Sequence, residues 1–204
     1  MTRSAADQLI LFVKNPIAGR VKTRLAAELG EPRALAIYRR LLAHTRRLAL
    51  QLDVHRLLYY SDFVDEQDDW PAGAFEKRRQ EGTDLGQRMY RAFAQALAQG
   101  KRAVIIGSDC PGLRAAHLRT AFEQLHHHPF VIGPATDGGY YLLGMTRPEP
   151  ALFESIPWST DQVAQHTLDR IRTFNQSCYL LPPLSDIDYA EDWEQHGHLL
   201  QEDA

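Results

Sequence analysis

Long apolar runs are missing from this 204-residue chain. The first apolar run, Leu9 to Val13, follows a polar start, Met1 to Gln8, and is far too short for a secretory leader or a membrane span. Cysteine is scarce. Cys110 and Cys178 cannot make a disulfide framework, and they suit a reducing cytoplasm. Neither sign of charge dominates: 23 Lys and Arg against 26 Asp and Glu leave a net charge of −3, which gives no global reason for nucleic-acid or membrane binding. There is no internal repeat, and the triple His126-His127-His128 is the nearest thing to a low-complexity segment. Consecutive histidines point in different directions on a helix, so a three-ligand site is not expected there. Neither GxxxxGK(S/T) nor GxGxxG occurs, which removes two familiar phosphate-binding loops. The expectation is a cytoplasmic protein of one domain over 1–204, with no nucleic-acid or membrane partner and an oligomeric state left open.

What is present is an alternation of short apolar runs with longer helical patterns. Leu9 to Val13, Leu57 to Tyr60, Val104 to Gly107, Phe130 to Gly133, Tyr140 to Gly144 and Ser177 to Leu181 read as strands, with Phe75 to Arg79 as an edge strand. Glu31 to Leu52, the stretch after Asp84, Leu113 to His127 and Asp161 to Phe174 read as helices, and Trp193 lies in a terminal helix. The predicted core face of the second helix is Leu85, Met89, Phe93 and Leu97, with Thr83 or Asp84 as its cap; Ser159 or Thr160 is expected to cap the helix from Asp161. Strands alternating with helices predict an α/β fold with a mainly parallel sheet, and the Asp137-Gly138 turn before Tyr140 adds antiparallel pairing.

Four stretches carry chemistry. Val104-Ile105-Ile106-Gly107-Ser108-Asp109-Cys110-Pro111-Gly112 ends an apolar run in a carboxylate, placing Asp109 at a strand tip, where open α/β sheets bind ligands. Asp109 is there either to hold a hard cation such as Mg²⁺ or to cap the following helix. Lys14 to Leu25 sets Lys14, Arg20, Lys22 and Arg24 around a Pro/Gly loop containing Gly19, which is either a phosphate cradle or a solvated basic loop. Gln80, Gly82 and Thr83 form a turn in which an amide can read a nucleobase edge. Asp186 and Asp188 flank Ile187 and face one way in extended chain, as metal ligands or as helix-start acids. No covalent nucleophile stands out, since Cys110 reads as packing.

These motifs in order also resemble a known superfamily. Lys14-Asn15-Pro16 with Gly19-Arg20-Val21-Lys22-Thr23-Arg24-Leu25, Gly82-Thr83-Asp84-Leu85-Gly86-Gln87-Arg88-Met89, Gly107-Ser108-Asp109-Cys110-Pro111, Thr136-Asp137-Gly138-Gly139-Tyr140 and Asp186-Ile187-Asp188 look like the glycosyltransferase-A-like nucleotidyltransferases. Within that superfamily they are most similar to the radical-SAM/selenodomain-associated transferase 1 family. The resemblance implies a three-layer, Rossmann-like nucleotide-diphospho-sugar transferase fold with a mixed, mainly parallel sheet. It implies Lys22, Arg24 and Asp109 as catalytic residues. Lys14, Gly19, Arg20, Lys22, Gln80, Gly82, Thr83 and Asp109 would bind nucleotide. Asp137, Gly138, Gly139 and Tyr140 would line the acceptor side, and Asp109, Asp188 and Asp186 would hold Mg²⁺ or Mn²⁺. The implied reaction moves NMP from an NTP to a small phosphorylated acceptor. A glycosyltransferase using a nucleotide sugar, or a non-catalytic nucleotide-binding partner, are the alternatives. One departure stands out: Asn15-Pro16-Ile17-Ala18 replaces much of the glycine signature that the better-known relatives carry in the first loop.

Overall fold

The structure, a computed structural model, describes residues 6–158 and 160–200. Seven strands form one sheet: β1 (Asp7–Val13), β2 (His55–Tyr60), β3 (Glu76–Arg79), β4 (Arg102–Ile106), β5 (Phe130–Pro134), β6 (Tyr140–Met145) and β7 (Cys178–Leu180). Their order is β3-β2-β1-β4-β6-β5-β7. All neighbours are parallel except β6, which runs antiparallel to both β4 and β5. The β-branched and aromatic runs read as strands are therefore strands, and the Asp137-Gly138 turn does join an antiparallel pair.

Helices cover both faces, which is why β1 and β4 read as unbroken apolar runs. On one face, Leu9, Leu11, Val104 and Ile106 pack under α2 (Glu31–Leu50) and α4 (Ala115–Gln124) through Tyr38, Leu42, Leu118 and Phe122. On the other face, Ile10, Leu57, Ile105 and Leu143 meet α3 (Leu85–Gln99) and α5 (Val163–Thr173) through Met89, Phe93 and Ile171. A third cluster joins α1 (Thr23–Leu29) to α2 and to Ile187, through Leu25, Ile37 and Leu41; α6 (Ala190–His196) adds Trp193 to it. No helix among the described residues is long and apolar enough to cross a membrane.

Three details differ from the sequence reading. Leu85 is 43% exposed, because it is the first residue of α3 and lies before the helix reaches the sheet; Met89, Ala92, Phe93 and Ala96 make the contact instead. The fourth helix is shorter than 113–127. It ends at Gln124, where the amides of His126, His127 and His128 turn back onto the carbonyls of Glu123 and Gln124. The helix expected from Asp161 begins at Val163 with Gln162 at its cap; Thr160 uses its hydroxyl on the Pro157 carbonyl, and Ser159 lies outside the described residues. Trp70 is a packing anchor, edge-on to Phe75 at 4.9 Å.

The chain reverses direction across the sheet between β1 and β4: β1 leads out toward β2, and the chain later returns to β4 on the other side. Such a switch point opens a crevice at the carboxyl ends of the strands. Lys14 follows one of these ends and Asp109 the other.

Candidate active site

Lys22 is the centre of the constellation. It caps α1 in the left-handed region, at φ 49°, and its side chain is only 5% exposed. Its Nζ lies 2.8 Å from Asp109 Oδ1 and 3.1 Å from Asp188 Oδ1. Burial alone would lower the lysine pKa, but Asp109 and Asp188 outweigh it and hold the ammonium above the ordinary lysine range. Arg24 Nη1 reaches the other oxygen of Asp188 at 3.3 Å, and its guanidinium lies over the Tyr189 ring.

Backbone contacts bring these distant residues together. The Ile187 amide donates to the Asp109 carbonyl at 2.9 Å, which sets the 186–188 segment against the end of β4. With Ile187 fully buried, extended backbone puts Asp186 and Asp188 on the side facing Lys22. Asp186 Oδ1 is buried without a hydrogen-bond partner. Burial, and then the charge of Asp109, push the Asp186 carboxyl up to about 7 against the pull of Lys22; Asp137 and Asp188 add to the rise. Asp137 belongs to this neighbourhood because its turn is tied to the same segment: the Thr136 amide donates to the Leu184 carbonyl, and Thr136 Oγ1 to Ser185 Oγ.

Asp109 and Asp188 thus share the Lys22 ammonium, with Arg24 on Asp188, and Asp186 and Asp137 lie near enough for their charges to be felt. Hard oxygen donors, a surplus of negative charge and an orphaned buried carboxylate oxygen suit a divalent cation. Among the described residues, no three acid, histidine or cysteine side chains stand ready-made to hold a metal. Lys22 occupies the space between the two best-placed acids.

The other expected residues divide. Arg20 and Gly19 sit on the exposed outer turn of the first loop, with Gly19 at φ +74°. Lys14 lines a cavity of about 300 Å³ with Arg39, Asp68 and Trp70, and that lining includes neither Lys22 nor Asp109. Gln80 gives its amide hydrogens to the Val13 and Tyr59 carbonyls at 3.4 and 3.2 Å, so it bridges the ends of β1 and β2. Gly82 has φ +143°, and a Cβ there would come within 2.8 Å of the Arg88 backbone nitrogen. Thr83 is exposed next to Asp84, whose carboxylate caps α3 by accepting from the Gln87 amide at 2.9 Å. Gly138 and Gly139 form the β5–β6 turn, with the Gly139 amide on Asp137 Oδ1. Tyr140 is not brought to this group: its hydroxyl meets Met89 Sδ of α3 at 3.7 Å, and burial raises its pKa.

Two further residues shape the site through contacts the sequence did not show. Tyr38 read as an ordinary core position, yet its hydroxyl bonds the backbone of Lys14 and accepts from Ser108 Oγ at 3.3 Å, clamping the ends of β1 and β4 together. Asn15 is buried. Its Nδ2 donates to the Phe63 carbonyl at 3.0 Å and its Oδ1 accepts from the Asp62 amide at 3.2 Å. A side chain therefore fixes the first loop. Cys110 is buried, and its thiol is pushed far up by burial and then by Asp186, which keeps it protonated.

Residues 44–160, more than half of the chain, match the family described as "uncharacterized protein conserved in bacteria" (DUF2064). The chain belongs to this family. No curated protein matches it significantly. Among solved structures, the DUF2064 chain is similar to a protein from Desulfovibrio desulfuricans G20 that is provisionally described as a nucleotide-diphospho-sugar transferase. The two share 26% identity and a TM-score of 0.83, over 96% of this chain and 97% of that one. It is also similar in fold to the inositol-1-phosphate CTP transferase of T. maritima, at 14% identity and TM-score 0.61, over 98% and 97% of the two chains. A CMP:2-keto-3-deoxy-manno-octonic acid synthetase solved with CTP aligns at 11% identity and TM-score 0.58, over 98% and 100%. The fold is thus the glycosyltransferase-A-like, nucleotide-diphospho-sugar transferase fold, and the structural relatives are transferases.

Proposed function

We propose that this chain is a divalent-metal-dependent transferase that moves NMP from a nucleoside triphosphate to a small phosphorylated acceptor and releases pyrophosphate. The observation that carries this is the Lys22 ammonium, drawn between Asp109 and Asp188 at the sheet's switch point. A buried cation beside strand-tip carboxylates is suited to phosphate chemistry and has no evident value for packing.

An acceptor oxygen forms a bond to the α-phosphorus, and the bond from that phosphorus to the bridging oxygen breaks. Little covalent work falls to the protein; positioning and neutralisation set the rate. Arg20, Lys22 and Arg24 neutralise the phosphates and the departing pyrophosphate. Asp109 and Asp188 would hold Mg²⁺ or Mn²⁺ with Asp186 beside them, and the ion would supply charge neutralisation at the phosphates. Gln80 and the Gly82-Thr83 turn face the base, and the Asp137-Gly138-Gly139 turn faces the acceptor.

A second reading keeps the donor site and changes the bond. The relative at 26% identity carries a nucleotide-sugar description, and with such a donor the sugar C1–oxygen bond would break and NDP would leave. Phosphorus NMR of reactions with each NTP or sugar nucleotide, Mg²⁺ and a panel of phosphorylated acceptors separates the two. Pyrophosphate release supports nucleotidyl transfer, and NDP release from a sugar nucleotide supports glycosyl transfer. Tight nucleotide binding with neither product across the panel would replace both with a binding-partner role.

A further inference from the structure

A second concentration of positive charge lies on the α3 side of the sheet, beyond the residues assigned above. A cavity of about 390 Å³ opens between the edge strand β3 and the first turns of α3, and its rim carries Arg78, Arg79, Arg88 and Arg91. Arg88 and Arg91 are three residues apart on one helix face. Glu81 is the one acid in the lining. In a chain whose net charge is −3, four guanidinium groups around one small cavity are a marked local excess.

These arginines differ in how they are held. Arg78 is fixed by Glu76, by Gln95 Oε1 at 2.7 Å and by the Tyr59 hydroxyl at 3.3 Å. Arg88 gives Nε to the Gly82 carbonyl at 3.1 Å. Arg79 and Arg91 have no hydrogen-bond or ion-pair partner among the described residues, so nothing in the fold uses their charge. Two anchored and two uncommitted guanidinium forks around one cavity make a receptor for an anion with more than one charged group, since each fork matches phosphate oxygens bidentately. The volume suits a small ligand and excludes a folded partner. The Tyr59 ring has the Arg78 guanidinium near its face.

We propose that the cavity between β3 and α3 is a second anion-binding site, taking a small molecule that bears two or more linked phosphate groups. It is separate from the proposed catalytic residues, because its lining contains none of Lys22, Asp109, Asp186 or Asp188. It nevertheless backs onto the nucleotide-side turn. Arg79 precedes Gln80, and Arg88 holds the Gly82 carbonyl. An occupant that engages Arg88 therefore bears on the turn placed at the base.

The probe is sodium tripolyphosphate, titrated calorimetrically in EDTA so that no divalent cation assists. The full chain should bind one equivalent that survives Arg20→Ala/Arg24→Ala, which alters the Asp109 side. Arg79→Ala/Arg91→Ala should weaken that equivalent about tenfold or more, and Arg79→Lys/Arg91→Lys, which keeps charge but loses the fork, should fall between. Both positions are exposed, so the fold should be unaffected. Absence of binding to the unmodified chain overturns the proposal. So does binding that is lost in the Arg20/Arg24 variant and kept in the Arg79/Arg91 variant. A short single-stranded RNA that binds in an Arg79- and Arg91-dependent way while tripolyphosphate does not would assign the patch to nucleic acid and overturn it as well.

Discussion

Lys22 adopts a backbone conformation that costs an L-residue about 1–2 kcal/mol, and its ammonium joins carboxylates from two distant segments. Lys22→Met should remove both ion pairs and leave Asp109 and Asp188 repelling each other. Loss of a fully buried pair costs more, but these two acids are 44% and 40% exposed, so we expect about 1–3 kcal/mol by urea denaturation. The same variant, without nucleotide, should gain more thermal stability from Mn²⁺ than the unmodified chain does, because the ammonium no longer fills the space between the acids. Unchanged stability together with no added Mn²⁺ response would remove Lys22 from the centre of the site. The position of Asp109 after β4 was legible in the sequence because a carboxylate that closes an apolar run marks a strand tip, and Asp186 and Asp188 drew attention because they alternate around Ile187. Tyr38 and Asn15 were not legible. A tyrosine at helical spacing looks like core, and an asparagine before proline looks like a turn; only tertiary contacts show what each holds.

At the level of elements, two short devices position the groups around the site. The Gly138 carbonyl accepts from the Ala164 amide at 2.9 Å, which ties the β5–β6 turn to the start of α5. Gly138 sits at φ +90°, and a Cβ there would lie 1.9 Å from the Asp161 carbonyl oxygen. Gly138→Ala should therefore cost about 3 kcal/mol, read from the urea midpoint, through backbone strain and overpacking. A cost below about 0.5 kcal/mol, the scale of an ordinary surface change, would show that the turn does not need this approach. The second device opens α4, where the Arg114 amide donates to His117 Nδ1 at 3.1 Å. Burial, and then Arg114, lower the His117 pKa. The unfolded chain binds this proton more readily, so the histidine's contribution is complete above its ordinary value near 6.5 and is lost as pH falls below it. His117→Gln keeps an acceptor and removes the titration. The stability difference between the unmodified chain and this variant should shrink or reverse from pH 7.5 to pH 5. A difference that is flat with pH would contradict the assignment. The early end of α4 had no sequence signature, because the histidines continue a helix-compatible pattern and only the reversed amides reveal the turn.

For the whole molecule, alternating strand and helix signals were enough to give an α/β fold with a mainly parallel sheet, and the continuous apolar run Leu9 to Val13 a central strand covered on both faces. Strand order was not legible. Inserting β6 between β4 and β5, and the amide of Ile187 meeting Asp109, depend on contacts far apart in the chain. The arginine cavity escaped for the same reason, with its cations spread over β3 and α3. The central claim is that the crevice between β1 and β4 binds nucleotide through a metal held by Asp109. Its most direct test is thermal unfolding with each NTP, with and without Mg²⁺, on Arg79→Ala/Arg91→Ala, which silences the arginine cavity, and on the same variant carrying Asp109→Asn. At about 100 times Kd, one triphosphate with Mg²⁺ should raise Tm by about 5 °C or more in Arg79→Ala/Arg91→Ala, and neither that protein in EDTA nor its Asp109→Asn form should respond. A nucleotide shift of the same size without metal, or in Asp109→Asn, would contradict it.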